Sequence, residues 1–199
     1  MNLSEPRFSN SRAISALELL FGAGIVIGHN VFHIVPNEVP ILFVLGLLSI
    51  RLRDGGLSAM GFKRPRSWSH IIQIALAAAI LRIVLGDFVI EPLAGRFWPA
   101  IVAPARAHEI TGNIKIALLA MLIVWSFAAF GEEISYRGYL LTRAADLGKR
   151  SPMAFWVGMI LVSILFGYGH YYKGPVGIID SGVAGLILGT AYMISGRNL

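Results

Sequence analysis

The 199-residue sequence contains no cysteine. That excludes disulfides, thiol catalysis and cysteine metal sites, and leaves the redox compartment undetermined. Charge is also scarce. Asp, Glu, Lys and Arg make up 14% of the residues against 56% hydrophobic, and mean hydropathy is +0.70. A soluble domain carries about 25% charged residues, so this composition belongs to a membrane protein. Internal repeats and low-complexity tracts are absent. No A-x-A-like cleavage site follows the first apolar stretch, which therefore reads as a retained helix. His108-Glu109 could open a zinc-protease H-E-x-x-H, but Gly112 occupies the last position. No G-x-S-x-G occurs, so a serine-nucleophile elbow has no support.

What is present is a series of apolar stretches. Residues 13–35, 68–90, 114–130, 153–166 and 176–195 read as spans or near-spans, a crossing helix needing about 20 residues. Residues 41–50 are apolar but short, enough only for a thinned region or a half-helix. Residues 91–113 read as a polar loop rich in Pro and Gly. The formal charge is +6, and the positive residues cluster at 1–12, 51–66 and 143–150. Cytoplasmic loops carry such excess, so these stretches and the N-terminus are expected in the cytoplasm. The charge thus reads as topology rather than nucleic-acid binding. The expectation is a single all-α domain, 1–199, built as a polytopic transmembrane bundle of about six helices. Within it, Gly24 with Gly28 and Gly185 with Gly189 suit close helix packing. His29 and His33 read as interfacial histidines, with a metal pair as the alternative. Arg82 reads as an interior pairing or snorkelling side chain, or as a substrate contact; with Asp87 and Asp180 it also raises a small transporter as a minor reading. Residues 138–150 read as an amphipathic, cytoplasmic continuation of the preceding span.

The chemistry concentrates in Phe130-Gly131-Glu132-Glu133-Ile134-Ser135-Tyr136-Arg137-Gly138. A charge at membrane depth costs about 2.5–3.5 kcal/mol on insertion scales, so two adjacent carboxylates there need a reason. Glu133 and Arg137 are four apart, acid first, the better order for a helical ion pair. Glu132 points about 100° away, toward Ser135 and Tyr136, which cannot neutralise it. One glutamate is then structural and the other free to act as a general base. On spacing alone, a cytoplasmic helix end with solvated charges is the alternative. One helix later, Phe166 and His170 are again four apart on one face.

This ordered pair, Glu132-Glu133-x-x-x-Arg137 and then Phe166-x-x-x-His170, resembles the CPBP (Abi) family of intramembrane proteases. That family includes the CAAX prenyl endopeptidases and bacteriocin-processing or immunity proteins. The resemblance covers roughly 116–199. It implies an endopeptidase, hydrolysing peptide bonds with a glutamate-activated water in or near the bilayer, in a multi-pass protein of a bacterial plasma membrane. Glu132 is then the general base. Glu133 holds Arg137, and His170 orients the water or stabilises the oxyanion. Tyr136 and Phe166 are candidate substrate contacts. The implied partners are membrane lipid and a membrane-associated peptide or protein. A divalent metal such as zinc is the implied cofactor, but its candidate ligands, Glu132 and His170, number fewer than the three of a usual catalytic zinc site. The family's last motif, a His followed four residues later by Asn or Asp, would lie beyond Ser195. The expectation is a C-terminally truncated sequence, the alternative a degenerate, non-catalytic member acting in immunity or as a scaffold. Depth poses a second question. Counted from the cytoplasmic charges, Glu132 is shallow and His170 deep, a mismatch of about 10 Å at 1.5 Å per residue. Tilt, a kink, or entry of 138–150 into the membrane must close it.

Overall fold

The computed structural model describes residues 11–99, 101 and 111–199; most of the basic N-terminal stretch and the His108-Glu109 pair lie outside them. Among the described residues there are six helices and no strand. Helix α1 is Arg12–Asn30, started by Ser11, whose hydroxyl accepts from the Ile14 N–H at 3.3 Å. Helix α2 is Glu38–Asp54, capped by Asn37 and ended by Gly55 at φ 77°. The short apolar stretch is therefore the middle of a 17-residue helix, about 25 Å long. Its polar ends belong to the helix because other segments meet them: Asn30 donates to Glu38, Glu18 pairs with Arg53, and Arg143 pairs with Asp54.

Helix α3 is Trp68–Ala94, 27 residues, and runs four residues into the stretch read as a loop. Helix α4 is Ile114–Leu147, 34 residues. It contains two π-wound stretches, Val124–Gly131 and Glu133–Leu140, so the i→i+4 geometry assumed from sequence is loosened at the acidic motif. Such winding is rare and often marks functional sites. Helix α5 is Pro152–Tyr168, with Ser151 as cap and proline in its first turn. Helix α6 is Gly174–Ile194. Arg12–Asn30, Trp68–Ala94, Ile114–Leu147 and Tyr171–Ile194 are each long and apolar enough to cross a membrane; α5 is apolar but shorter.

The core is built around the second half of α4. Ile134 through Ala145 are all buried, against Val26 of α1, Leu42 of α2 and Phe155 and Met159 of α5. Helices α5 and α6 pack as a hairpin. A Cβ on Gly185 would lie 3.1 Å from Ser163, and one on Gly189 would lie 2.6 Å from Met159 Cγ, so this glycine pair does what its spacing predicted. The α1 pair behaves differently. Gly24 faces open space, and it is Gly22 that meets Leu140. Helix α3 is peripheral and packs chiefly on α6, joined to it by Arg82 Nη2 and Asp180 Oδ2 at 2.6 Å. Arg82 is thus the interior pair its sequence position allowed.

Of residues 138–150, the first eight are buried in the bundle and 147–149 are exposed. Arg143 has no exposed surface. Its Nε meets Glu18 Oε2 at 2.9 Å, Nη2 meets Asp54 Oδ2 at 2.6 Å and Nη1 meets Asp146 Oδ2 at 2.9 Å. Arg53 meets Glu18 at 2.8 Å, and Arg150 pairs with both Asp54 and Asp146. Three arginines and three carboxylates from α1, α2, α4 and the following turn thus cancel in one cluster, further tied by the Ser15 hydroxyl donating to Asp146 at 2.7 Å. Paired charges can be buried where single ones cannot. The cluster lets the end of α4 up to Ala145 be buried in the bundle.

Candidate active site

The position of Glu132 follows from the glycine before it. A Cβ on Gly131 would lie 2.8 Å from Val39 Cγ1, so glycine lets α4 press against the first turn of α2. Glu132 therefore lies level with the α2 start, at the end of the bundle opposite the ion cluster. That is also the end where α5 turns into α6 and carries His170. Residues 138–145, which include the end of the π-wound stretch, are buried in the bundle.

Glu133 and Arg137 form the predicted pair, Oε1 to Nη1 at 3.2 Å. Arg137 is buried, lies over the Phe166 ring at 4.7 Å, and directs Nη2 at the Gly185 carbonyl at 3.5 Å. Its Nη1 makes no directed hydrogen bond beyond that ion pair. Glu132 is half-buried and, among the described residues, has neither an ion pair nor a hydrogen bond. The division into a held and a free carboxylate is the one the spacing suggested.

A ladder of rings connects the two motifs. Tyr136 meets Phe166 edge-on at 4.9 Å, and Phe166 meets His170 edge-on at 4.9 Å. The Tyr136 hydroxyl reaches within 3.0 Å of where a Cβ on Gly169 would stand. Tyr136 and Phe166, the candidate substrate contacts, are both buried. His170 Nδ1 lies 3.0 Å from the Phe166 carbonyl. A carbonyl only accepts, so Nδ1 carries the proton and Nε2 presents its lone pair when the ring is neutral. The charges of Glu38 and Lys173 act on both Glu132 and His170.

Glu38 is the residue that sequence reading missed. It is buried at the start of α2, accepts from Asn30 Nδ2 at 3.1 Å and lies 3.3 Å from His29 Nε2. It was hidden as part of a Pro-Asn-Glu-Val-Pro turn. The signal available was an acid beside an apolar run with a histidine at the same end of the preceding span. His29 thus serves Glu38, and no metal pair with His33 forms: His29 Nδ1 donates to the Val35 carbonyl, and His33 stands in the turn at φ 55°. Among the described residues, no three His, Asp or Glu side chains gather as a metal site. Glu132 and His170 alone do not match the three-ligand pattern of catalytic zinc.

Residues 114–199 match the family model for type II CAAX prenyl endopeptidase, Rce1-like. This region is an Rce1-like domain of the CPBP family. It includes all of α4, α5 and α6, and hence every candidate site residue except Glu38. No curated protein matches the chain, and no solved structure does. Two of the four apolar helices long enough to cross a bilayer lie in this region and two precede it, and together they mark an integral membrane protein.

Proposed function

We propose that the protein is an intramembrane endopeptidase whose general base is Glu132. The observation that carries this reading is a half-buried carboxylate with no ion-pair or hydrogen-bond partner among the described residues, one residue from a carboxylate paired with Arg137. A water held between Glu132 and His170 Nε2 makes one hydrogen bond to each acceptor. Glu132 takes its proton as the water oxygen bonds to the scissile carbonyl carbon. The tetrahedral intermediate then collapses, the C–N bond breaks, and Glu132 returns the proton to the leaving nitrogen. Neutral His170, with its proton committed to the Phe166 carbonyl, orients the water rather than donating to the oxyanion. The Glu133–Arg137 pair holds α4 against Phe166 and so fixes the direction of Glu132. The substrate is a membrane-associated peptide or protein, and the N-terminus faces the cytoplasm by the distribution of positive loops.

The test is cleavage of membrane-tethered peptides by the purified protein in lipid vesicles. Glu132→Ala and Glu132→Gln are expected to lose at least 100-fold in rate, the usual range of general-base contributions. Equal cleavage by wild type and both variants overturns the assignment. The two-ligand donor set favours one competing reading, a non-catalytic family member that binds a partner. That reading fails if Glu132→Gln removes the cellular phenotype while partner binding persists.

A further inference from the structure

The basic face carries a feature that the proteolytic reading does not use. The segment between α2 and α3 folds over residues 195–199. The Leu199 N–H donates to the Gly61 carbonyl at 3.1 Å, Lys63 Nζ to the Gly196 carbonyl at 2.6 Å, and Asn198 Nδ2 to the Lys63 carbonyl at 3.0 Å. Between these segments lies a cavity of about 680 Å³, whose walls include Lys63, Arg64, Arg66, Ser67 and His70.

Its charge is not balanced. On the same face Arg53, Arg143 and Arg150 are neutralised by Glu18, Asp54 and Asp146. Among the described residues, no carboxylate lies within ion-pair distance of Lys63, Arg64 or Arg66. Nearby Arg197 lies over the Phe155 ring at 4.2 Å rather than against an acid. Burial, with the Arg197 and Arg66 charges, pushes Lys63 below the ordinary lysine value. An anion in the cavity would relieve this crowding.

The cavity continues into apolar space. His70 and Ile194 are shared with a slot of about 450 Å³ between α3 and α6, lined by Ile74, Ala77, Leu81, Leu186 and Thr190. Alanine at 77, 78 and 191 keeps that slot open. Trp68, exposed at the start of α3, suits the membrane–water boundary where the two spaces join. A cationic chamber at that boundary, opening into an apolar slot along two helices, is complementary to an amphiphile with a negative head.

We propose that Lys63, Arg64 and Arg66, with the α3/α6 slot, form a binding site for one anionic phospholipid of the leaflet on the basic-loop side. Its phosphate lies among the three cations, and one acyl chain lies along Ala77 and Leu81. Unstructured attraction of basic loops to an anionic surface would need no slot and would weight every exposed cation alike. Arg51 is exposed on the same face, outside the cavity, and supplies the comparison.

The experiment uses the full chain in detergent, titrated with phosphatidylglycerol, phosphatidylcholine or inorganic phosphate. Bound lipid is read by native mass spectrometry and stability by thermal unfolding. One phosphatidylglycerol per chain is expected to be retained and to raise the unfolding temperature by several degrees. Phosphatidylcholine and inorganic phosphate are expected to do neither. The double variant Arg64→Ala/Arg66→Ala should weaken phosphatidylglycerol binding at least tenfold, and Arg51→Ala should leave it unchanged. Ala77→Trp, which fills the slot and keeps every cation, should also weaken it. The proposal is overturned if inorganic phosphate stabilises as well as the lipid. It is also overturned if Arg51→Ala weakens binding as much as the double variant, or if Ala77→Trp has no effect. None of these readouts depends on proteolysis, so failure here leaves the Glu132 assignment standing, and the reverse.

Discussion

Glu133 Oε1 lies 3.2 Å from Arg137 Nη1, and no comparable partner reaches Glu132 among the described residues. Two neighbouring carboxylates therefore carry different tasks. Glu132→Gln is expected to abolish cleavage while changing unfolding free energy by less than about 0.5 kcal/mol, as for a side chain outside any bonded network. Arg137→Ala, which empties the space over Phe166 and strips Glu133 of its partner, is expected to destabilise by about 3 kcal/mol. Denaturant titration in detergent micelles, run beside the cleavage assay, separates the two. A Glu132→Gln loss of stability as large as that of Arg137→Ala would refute the division.

Glu38 binds the start of α2 to the end of α1. Glu38→Ala strands the buried Asn30 amide and removes the partner of His29. The expected loss is about 2–3 kcal/mol, the scale of a buried polar group left unmatched. Glu38→Gln can still accept from Asn30, so it is expected to retain more than half of that stability. Because the Glu38 charge acts on both Glu132 and His170, both variants should also change the pH profile of cleavage. An unchanged profile would separate Glu38 from the site.

Arg143 touches three carboxylates through three different nitrogens. Lysine offers one ammonium and no fork. Arg143→Lys is therefore expected to rescue little, with both Arg143→Lys and Arg143→Met unfolding about 3–5 kcal/mol more easily than wild type. Full rescue by lysine would mean that net charge alone holds the cluster.

Gly131→Ala places a methyl against Val39. Overpacking of this kind costs about 1–3 kcal/mol, and here it also tilts Glu132 away from its position. Val39→Ala in the same chain makes room. Partial recovery of both stability and cleavage in Gly131→Ala/Val39→Ala, compared with Gly131→Ala alone, is the expected result. No recovery would show that α4 does not approach α2 through this contact.

Where the physics is local, the residues announced the structure. Apolar run lengths marked five of the six helices, and the acid-before-base spacing in α4 gave a real ion pair. The Gly185/Gly189 spacing likewise described a contact with Ser163 and Met159. Hydropathy misjudged α2 and the end of α4 for one shared reason. It counts Arg53, Asp54, Arg143 and Asp146 as charges seeking water, although each meets its partner inside the bundle.

The amino-acid sequence by itself determined the membrane class, the helical build and the pairing of Glu133 with Arg137, because each depends on composition or on neighbours within a turn. Tertiary structure alone decided the level of Glu132, the place of Glu38 and the burial of Arg143. Those outcomes depend on groups brought together from distant segments, such as Glu18 and Arg143, 125 residues apart, and no local period encodes such a meeting.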